Sequence, residues 1–196
     1  MTGNGGVFLD TEGLMDIIEK RRNHKVFKKD PVGARDLEAI LEAARWAPSP
    51  GNVQPWELVV VREADRKKRI AEIHAASMSS PGKPKEIPTV YTDPPVLVAI
   101  CIDTRIKDGF PESFSREFLT YAGVGALMEN MWLAAASLGL GMGTGTQPVS
   151  AQKDLQSFFG LPGHYEVPEI VQIGYPKKAL GKTSRKKLEE FVHWES

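Results

Sequence analysis

A chain of 196 residues can form one domain with a substantial core, since a protein of this size buries roughly 70% of the surface exposed by its unfolded form. The apolar share of 41% and the charged share of 26% are ordinary for a water-soluble globular protein. The formal net charge of zero argues against a strong overall field for nucleic acid or membrane. Cys101 is the only cysteine, which excludes an intramolecular disulfide and fits a reducing compartment.

The N-terminal residues and the most apolar stretch of the chain bear on the cellular compartment of the protein. Residues 1–10 are predicted to form a flexible N-terminal tail. They lack the basic and apolar regions of a signal peptide. The most apolar stretch, residues 119–142, contains Glu129 and Asn130, which favours a buried helix over a membrane span. We therefore expect a cytoplasmic protein with a single domain over residues 11–196 and no membrane or nucleic-acid partner.

Hydrophobic periodicity and turn chemistry predict the secondary structure in chain order. In the first half of the chain we predict a helix from Asp10 or Thr11, a second helix from Asp30-Pro31 to Trp46, a strand at 57–62, a helix at 65–78 and a long loop at 79–95. In the second half we predict a strand at 95–103, a helix from Ser113 or Ser115 to Leu138, a short helix at 151–159 capped by Ser150, and a strand at 167–174. Helices and strands are mixed without strict alternation, which predicts the α+β class.

Residues 20–29, KRRNHKVFKK, form a cationic cluster at the end of the first predicted helix. Such a run is most often a solvated helix C-terminus, where the helix dipole favours cations. Arg21, however, continues the apolar stripe of Leu14, Ile17 and Ile18, so we expect it to point inward. A buried unpaired charge is costly, and a phosphate is a natural partner for a guanidinium.

Residues 46–56, WAPSPGNVQPW, join a helix to a strand through a stiff loop. The prolines stop the helix and restrict the backbone, but they do not account for Asn52 and Gln54. These two amides offer both donors and acceptors, which would suit a planar heterocyclic ligand. Trp46 and Trp56 are expected in the core.

Two further segments are ambiguous on their own. Residues 139–146, GLGMGTGT, contain neither the Lys-Ser/Thr pair of a P-loop nor a preceding strand, so a flexible linker is the simpler interpretation. Glycines would also let the backbone approach a flat ligand. Residues 177–187, KKALGKTSRKK, form a second cationic cluster that would otherwise be a solvated tail.

The sequence contains no pattern for hydrolysis or for a metal site. The histidines are scattered without metal-ligand spacing, and no G-x-S-x-G motif is present. Cys101 falls in a predicted buried strand and is expected to be a core residue. We therefore predict no catalytic side chain and no metal ligand, as is typical where a cofactor carries the reaction.

Several motifs together resemble the FMN-dependent nitroreductase family over residues 11–195. They are RRNHKVF at 21–27, DP at 30–31, APSPGNVQPW at 47–56, GYP at 174–176, SR at 184–185 and LEEFVHWE at 188–195. The resemblance implies a nitroreductase-like α+β fold, with a mostly antiparallel central sheet flanked by helices. It also implies a homodimer with FMN in two clefts at the subunit interface. NADH or NADPH would reduce the flavin, and a nitroaromatic, quinone or similar acceptor would reoxidise it in a ping-pong cycle.

The resemblance also assigns cofactor-binding residues. The first motif, with Arg21, Arg22, Asn23 and Lys25, matches the segment that holds the FMN phosphate and ribityl chain, and Arg185 matches a late arginine on the same phosphate. Residues Pro48, Ser49, Pro50, Asn52 and Gln54 belong to the loop that the other subunit lays against the ring. Residues Thr144, Gly145 and Thr146 match the segment beside the reactive flavin nitrogen.

This sequence departs from the family pattern at three places. Asn23 replaces the usual serine and Lys25 the usual second arginine, so the phosphate would meet a point charge instead of a bidentate fork. The glycine-rich run also lacks the aromatic residue that often follows it. Acceptor specificity is expected from residues 79–95 and 107–115.

Two other functions remain open on the sequence alone. One is a protein of the same fold that carries flavin without redox turnover, or an enzyme that consumes reduced flavin. The other is a phospho-ligand binding module without flavin. The sequence favours neither NADH nor NADPH.

Overall fold

A computed structural model describes residues 10–79, 86–111, 113 and 115–195. The helices are α1 (Thr11–Lys20), α2 (Ala34–Arg45), α3 (Ala64–Met78), α4 (Thr89–Thr92), α5 (Arg116–Ser137) and α6 (Gln152–Phe159). The strands are β1 (Trp56–Val61), β2 (Val96–Asp103), β3 (Gly141–Gly143) and β4 (Tyr165–Gly174). Residues 1–9 of the predicted tail and residues 80–85 of the predicted long loop lie outside the described residues.

The four strands form one antiparallel sheet in the order β1-β2-β4-β3. The central strands β2 and β4 are the two apolar runs of the sequence, and Val98 pairs with Val171 between them. Such runs are typical of strands that are covered on both faces. The predicted α+β class and mostly antiparallel sheet are confirmed.

Alternation along β2 assigns its side chains to two cores. One core contains Val98 and Ile100 and is covered by α2 and α5. The other contains Ala99 and Cys101 and is covered by α3 and α6. Cys101 is therefore a core residue as predicted, and burial raises the pKa of its thiol to about 12.

Helix α1 differs from the other long helices because it buries none of its own residues. Asp10 caps it as predicted, accepting a hydrogen bond from the Gly13 N–H at 2.7 Å. Leu14, Met15 and Ile18 remain exposed, and within the described residues α1 packs mainly against α5. The rest of the described chain leaves this apolar surface largely uncovered.

Four local predictions are wrong. Ser150 does not cap α6; its hydroxyl donates to the Ser77 carbonyl, and a short 3₁₀ turn precedes the helix. Trp46 is 72% exposed, because its indole N–H donates to Glu42 on its own helix at 2.9 Å. The one-turn helix α4 interrupts the predicted loop at 79–95, and β3 occupies part of the predicted glycine-rich linker.

No helix in the described residues combines the length and apolarity that crossing a lipid bilayer demands.

Candidate functional site

Arg21 follows the last turn of α1 and points inward, as predicted. Its side chain is 20% exposed, and its guanidinium carbon lies 4.9 Å from the centre of the Trp132 ring. The buried Nε lies 3.3 Å from Glu129 Oε1 without forming a hydrogen bond. Within the part of the chain that the structure describes, the two Nη atoms have no hydrogen-bond partner, so they are available to a ligand.

Arg22 attaches the C-terminal segment to α1. Its Nε donates to the Gly181 carbonyl at 2.8 Å, and its Nη1 donates to the Glu19 carbonyl at the end of the helix. Lys182 Nζ forms an ion pair with Glu19 Oε2 at 2.8 Å. These contacts bring the second cationic cluster of the sequence beside the first.

The two clusters line one cavity of about 430 Å³, here called the cationic cavity. Its charged lining residues are Arg21, Arg22, Lys182, Arg185 and a single acid, Glu19. The hydrogen bond from Lys182 lowers the pKa of Glu19, so this carboxylate stays ionised and its charge and that of Lys182 offset each other. Glu129 also pairs with Arg21 from beside the cavity, so the remaining positive charge comes mainly from Arg22 and Arg185. It suits an anion with several oxygens, such as a phosphate.

Arg21 also lines a smaller adjacent cavity of about 130 Å³ with His24, Trp132 and Met142. The Trp132 indole N–H donates to the Met142 carbonyl at 2.9 Å. Arg21 therefore stands between the cationic cavity and the glycine-rich segment, which we call the glycine edge (residues 141–146).

The first motif holds the glycine edge from one side. The His24 N–H donates to the Met142 carbonyl at 3.0 Å, and the Thr144 N–H donates to Asn23 Oδ1 at 3.3 Å. Lys25 Nζ donates to the Thr144 carbonyl. Asn23 and Lys25 thus fix the backbone of Thr144, a contact that the sequence does not predict.

The glycines of this edge are required for packing within the chain. A Cβ on Gly143 would collide with the His24 carbonyl and meet Gln172 Oε1 at 2.6 Å. A Cβ on Gly145 would meet the Tyr91 hydroxyl at 2.5 Å. The prediction of a flexible linker is therefore wrong, and the close approach that these glycines allow is to neighbouring protein.

Thr146 presents its backbone away from the sheet. The Ile170 N–H donates to the Gly145 carbonyl at 3.1 Å, and the Gln147 N–H donates to the Pro168 carbonyl at 2.8 Å. Thr146 and Glu169 lie between these two hydrogen bonds and form a non-hydrogen-bonded antiparallel pair. The N–H and C=O of Thr146 consequently face away from β4, and the residue is exposed.

A buried polar network supports the glycine edge from beneath and was missed at the sequence level. Thr146 Oγ1 donates to Glu169 Oε2 at 2.9 Å. Gln147 Nε2 donates to the Tyr91 hydroxyl at 2.7 Å and also to the Gly145 carbonyl. Burial raises the pKa of Tyr91 to about 12. The available sequence signal was Glu169, a glutamate inside the otherwise apolar run VPEIVQIG.

The loop between α2 and β1, here called the proline loop (residues 48–54), has an unusual backbone. Gly51, Asn52 and Gln54 all have positive φ angles, of 59°, 55° and 46°. Ser49 Oγ accepts from the Gln54 N–H at 2.9 Å, and Gln54 Nε2 donates to the Asn52 carbonyl at 3.1 Å. The loop is held by its own bonds, while both predicted amides remain exposed.

The proline loop and the cationic cavity contact different levels of α5. Gly123 faces the loop, since a Cβ there would meet the Pro48 carbonyl at 3.1 Å. Trp132, which contacts Arg21, lies nine positions later, roughly 14 Å along the helix axis. No hydrogen bond between described residues joins the loop to residues 21–25 or 144–146. The structure thus divides the predicted site residues into two separate groups.

A further cavity of about 390 Å³ lies beside the proline loop. Val53 and Pro55 line it together with Ile106 and Phe110 from the segment before α5. Arg105, also in its lining, forms an ion pair with Asp103. This cavity contains part of the segment in which acceptor specificity is predicted.

The model of the nitroreductase family matches residues 18–175, and the chain therefore belongs to the nitroreductase family. An Archaeoglobus fulgidus protein described as an NADH dehydrogenase/NAD(P)H nitroreductase is 29% identical over 168 residues, covering 85% of this chain and 87% of its own length. An NADH dehydrogenase from Thermus thermophilus is 29% identical over 194 residues, covering 89% and 92%.

Solved structures share the fold. The FMN-dependent nitroreductase from Clostridium difficile has a TM-score of 0.74 and 21% identity, covering 93% of this chain and 99% of its own. The predicted family, the nitroreductase-like fold and the assignment to the oxidoreductases are confirmed. The roles of the individual site residues stay predictions.

Proposed function

We propose that this protein is an FMN-dependent oxidoreductase that passes electrons from NADH or NADPH to a nitroaromatic, a quinone or a similar acceptor. The observation that carries the proposal is the cationic cavity. Two segments that are about 160 residues apart in sequence meet there and leave an excess of positive charge beside the glycine edge. Family membership supports the choice of a flavin over other phosphorylated ligands.

The residues present fit the phosphate of FMN. Among the described residues, the two Nη atoms of Arg21 have no hydrogen-bond partner, and Arg185 bonds to Thr183 and Ser184 through its Nη1. Both guanidinium groups can therefore supply charge-assisted hydrogen bonds to a phosphate. Arg22 and Lys182 contribute mainly by fastening the tail to α1 and by adding positive charge.

The glycine edge fits the ring end of the cofactor. Bound FMN would supply the redox chemistry, accepting a hydride equivalent from NAD(P)H and passing electrons to the acceptor. Thr146 would present its outward N–H and C=O to the ring. Asn23 and Lys25 would keep Thr144 in register beside it, and Lys25 would add a positive charge near the site.

We also propose that the site is completed by a second copy of the chain. The proline loop is rigid and exposed but does not reach the cationic cavity of its own chain. Helix α1 leaves Leu14, Met15 and Ile18 uncovered, and Phe191 and Trp194 of the tail are exposed. A homodimer would cover these apolar groups and bring the loop of one chain to the cavity of the other.

The cavity lined by Val53, Pro55, Ile106 and Phe110 is the proposed place for part of the acceptor. Its lining is largely apolar, which suits a flat aromatic compound better than a sugar or a free amino acid. Because Val53 and Pro55 adjoin the proline loop, this cavity would lie near the flavin supplied by the other chain.

The experiment that tests the function is an absorbance spectrum of the purified protein, followed by NADH or NADPH addition without air. Flavin bands that bleach, and return when a quinone is added, support the proposal. Bands that persist would favour a flavin carrier or an enzyme supplied with reduced flavin.

A protein that remains colourless after incubation with FMN would contradict the proposal at its centre. The phospho-ligand module would then be the better hypothesis. It predicts that inorganic phosphate raises the unfolding temperature although no flavin binds.

A further inference from the structure

Glu169 is the buried acid closest to the candidate site and has no role in the function proposed so far. It lies on β4 opposite Thr146, in the non-hydrogen-bonded pair described above. In such pairs the Cα atoms approach to about 4.5 Å, which brings the side chains closer than in hydrogen-bonded pairs. The geometry of the sheet therefore directs the Glu169 carboxyl group toward the Thr146 side chain.

The contacts of Glu169 are few and specific. The residue is 8% exposed, Oε2 accepts from Thr146 Oγ1 at 2.9 Å, and Oε1 is buried without a hydrogen-bond partner in the described residues. Burial raises the pKa of its carboxyl group, partly offset by the Thr146 hydroxyl, the Gly145 backbone and the charge of Lys25. A buried carboxyl group with an unsatisfied oxygen is unfavourable for folding.

The hydrogen bonds of residues 144–146 show which part of the glycine edge the Glu169 carboxyl group holds. The Thr144 N–H and carbonyl are bound by Asn23 and Lys25, and Gly145 is bound to Ile170 and Gln147. At Thr146 the backbone N–H and C=O face outward and take no part in the ladder with β4. Among the described residues, the hydroxyl bond to Glu169 is the side-chain contact that fixes Thr146.

We infer that Glu169 is a positioning residue, whose buried carboxyl group holds the Thr146 hydroxyl and thereby fixes the outward Thr146 N–H in the direction of the cofactor. The inference rests on the proposed function, because the ligand that this N–H faces is the proposed FMN. Glu169 itself does not touch the ligand, since Oε1 is inaccessible and Oε2 is bound to Thr146.

The test measures FMN affinity and the midpoint potential of bound FMN in five variants. Glu169→Ala and Thr146→Val each remove one partner of the bond. Thr146→Ser keeps the hydroxyl, and Glu169→Ala/Thr146→Val removes both partners. Glu166→Gln is the matched control, because Glu166 lies on the same strand and accepts a hydrogen bond from Tyr121 instead.

We expect Glu169→Ala and Thr146→Val each to weaken FMN binding by about tenfold, the scale of one displaced hydrogen bond. Both should shift the midpoint potential in the same direction, while Thr146→Ser and Glu166→Gln retain wild-type values. The double variant should lose no more affinity than either single variant, because both changes break one interaction.

Losses that add in the double variant, or a Glu169→Ala protein with the affinity and potential of Glu166→Gln, would overturn the inference. If Glu169→Ala does not fold, the FMN affinities and midpoint potentials of Thr146→Val and Thr146→Ser still show whether cofactor binding requires the Thr146 hydroxyl. A wild-type protein that binds no FMN contradicts the proposed function together with this inference. A wild-type protein that binds FMN while both single variants bind it equally well contradicts the inference alone.

Discussion

The glycine edge and the proline loop were both predicted to face the cofactor, yet they are held in different ways. The glycine edge is fixed by the rest of its own chain, through residues 23–25 on one side and a buried network on the other. The proline loop is fixed by bonds within itself and by left-handed backbone angles. One chain therefore fixes the glycine edge by its own packing, while the proline loop is an exposed segment held by bonds within itself.

The largest expected effect comes from filling the space beneath the glycine edge. Gly143→Ala should lower the free energy of unfolding by roughly 3 kcal/mol or more, because the new methyl group collides with the backbone of His24. Gly163→Ala is the control, since a Cβ there meets nothing within 4 Å. Urea denaturation followed by circular dichroism measures both. Equal stability of the two variants would mean that the edge is loosely packed.

The second effect concerns the cationic cavity beside the edge. Arg21→Ala should weaken FMN binding by about 10- to 100-fold, since a charge-assisted contact with the phosphate is lost. Arg69→Ala is a suitable control, because Arg69 is exposed and its ion pair in the described part of the chain is with Glu72. Titration of the apoprotein with FMN, followed by flavin fluorescence, measures the change. Wild-type affinity in Arg21→Ala would show that the phosphate lies elsewhere.

A mixing experiment separates the two regions directly. Arg21→Ala damages the cavity, and Asn52→Ala/Gln54→Ala damages the proline loop. If each site combines the cavity of one chain with the loop of the other, a mixed dimer contains one intact site. Unfolding and refolding the two variants together should then restore about one quarter of the sites, since random pairing makes about half of the dimers mixed.

The readout of this mixing is the fraction of flavin retained after gel filtration, compared with each variant refolded alone. No recovery would place the cavity and the loop of a site in the same chain. The refolded wild-type protein provides the reference for full occupancy.

The smallest expected effect is a difference in pH dependence. Burial raises the folded-state pKa of Glu169, so its contribution to stability is present below the unfolded pKa of about 4.5 and is lost as the pH rises through the folded value. Relative to Glu169→Gln, the wild-type protein should therefore become less stable over this interval. The proline loop contains no titratable side chain and should contribute no such change.

Thermal unfolding of the two proteins over a pH series that starts near the ordinary pKa of about 4.5 and rises from there tests this expectation, because the folded-state pKa lies above that value. A constant difference in unfolding temperature would show that Glu169 keeps the same protonation state in the folded and unfolded chains. Glu166→Gln again serves as the control.

The sequence predicts the fold most accurately where local preference and burial agree. The bounds of β2 and the end of α5 were predicted to within one or two residues, because their apolar runs are long, and Ser115, one of the two predicted starts, caps α5. The predictions that Ser150 caps α6 and that Trp46 lies in the core were wrong, because the polar groups of both residues have hydrogen-bond partners that periodicity does not reveal. Ser150 bonds to Ser77 across the fold, and Trp46 bonds back to Glu42.

The sequence predicts the residue types of the candidate site but not their arrangement. The inward direction of Arg21 follows from the helical stripe, and the meeting of the two cationic clusters requires the tail to return to α1. The proposed role of Glu169 could not be assigned from the sequence, because its contact with Thr146 depends on how Thr146 pairs with β4. A glutamate in an apolar strand predicts a buried polar contact, but it does not indicate which residue is the partner.

Helix α1 has a consequence for how the stability of this protein should be measured. It buries no residue against its own chain, so its apolar face contributes little to the free energy of unfolding of an isolated chain. If a second copy covers that face, the unfolding midpoint must rise with protein concentration, as mass action requires. Stabilities determined at one protein concentration would then describe that concentration only.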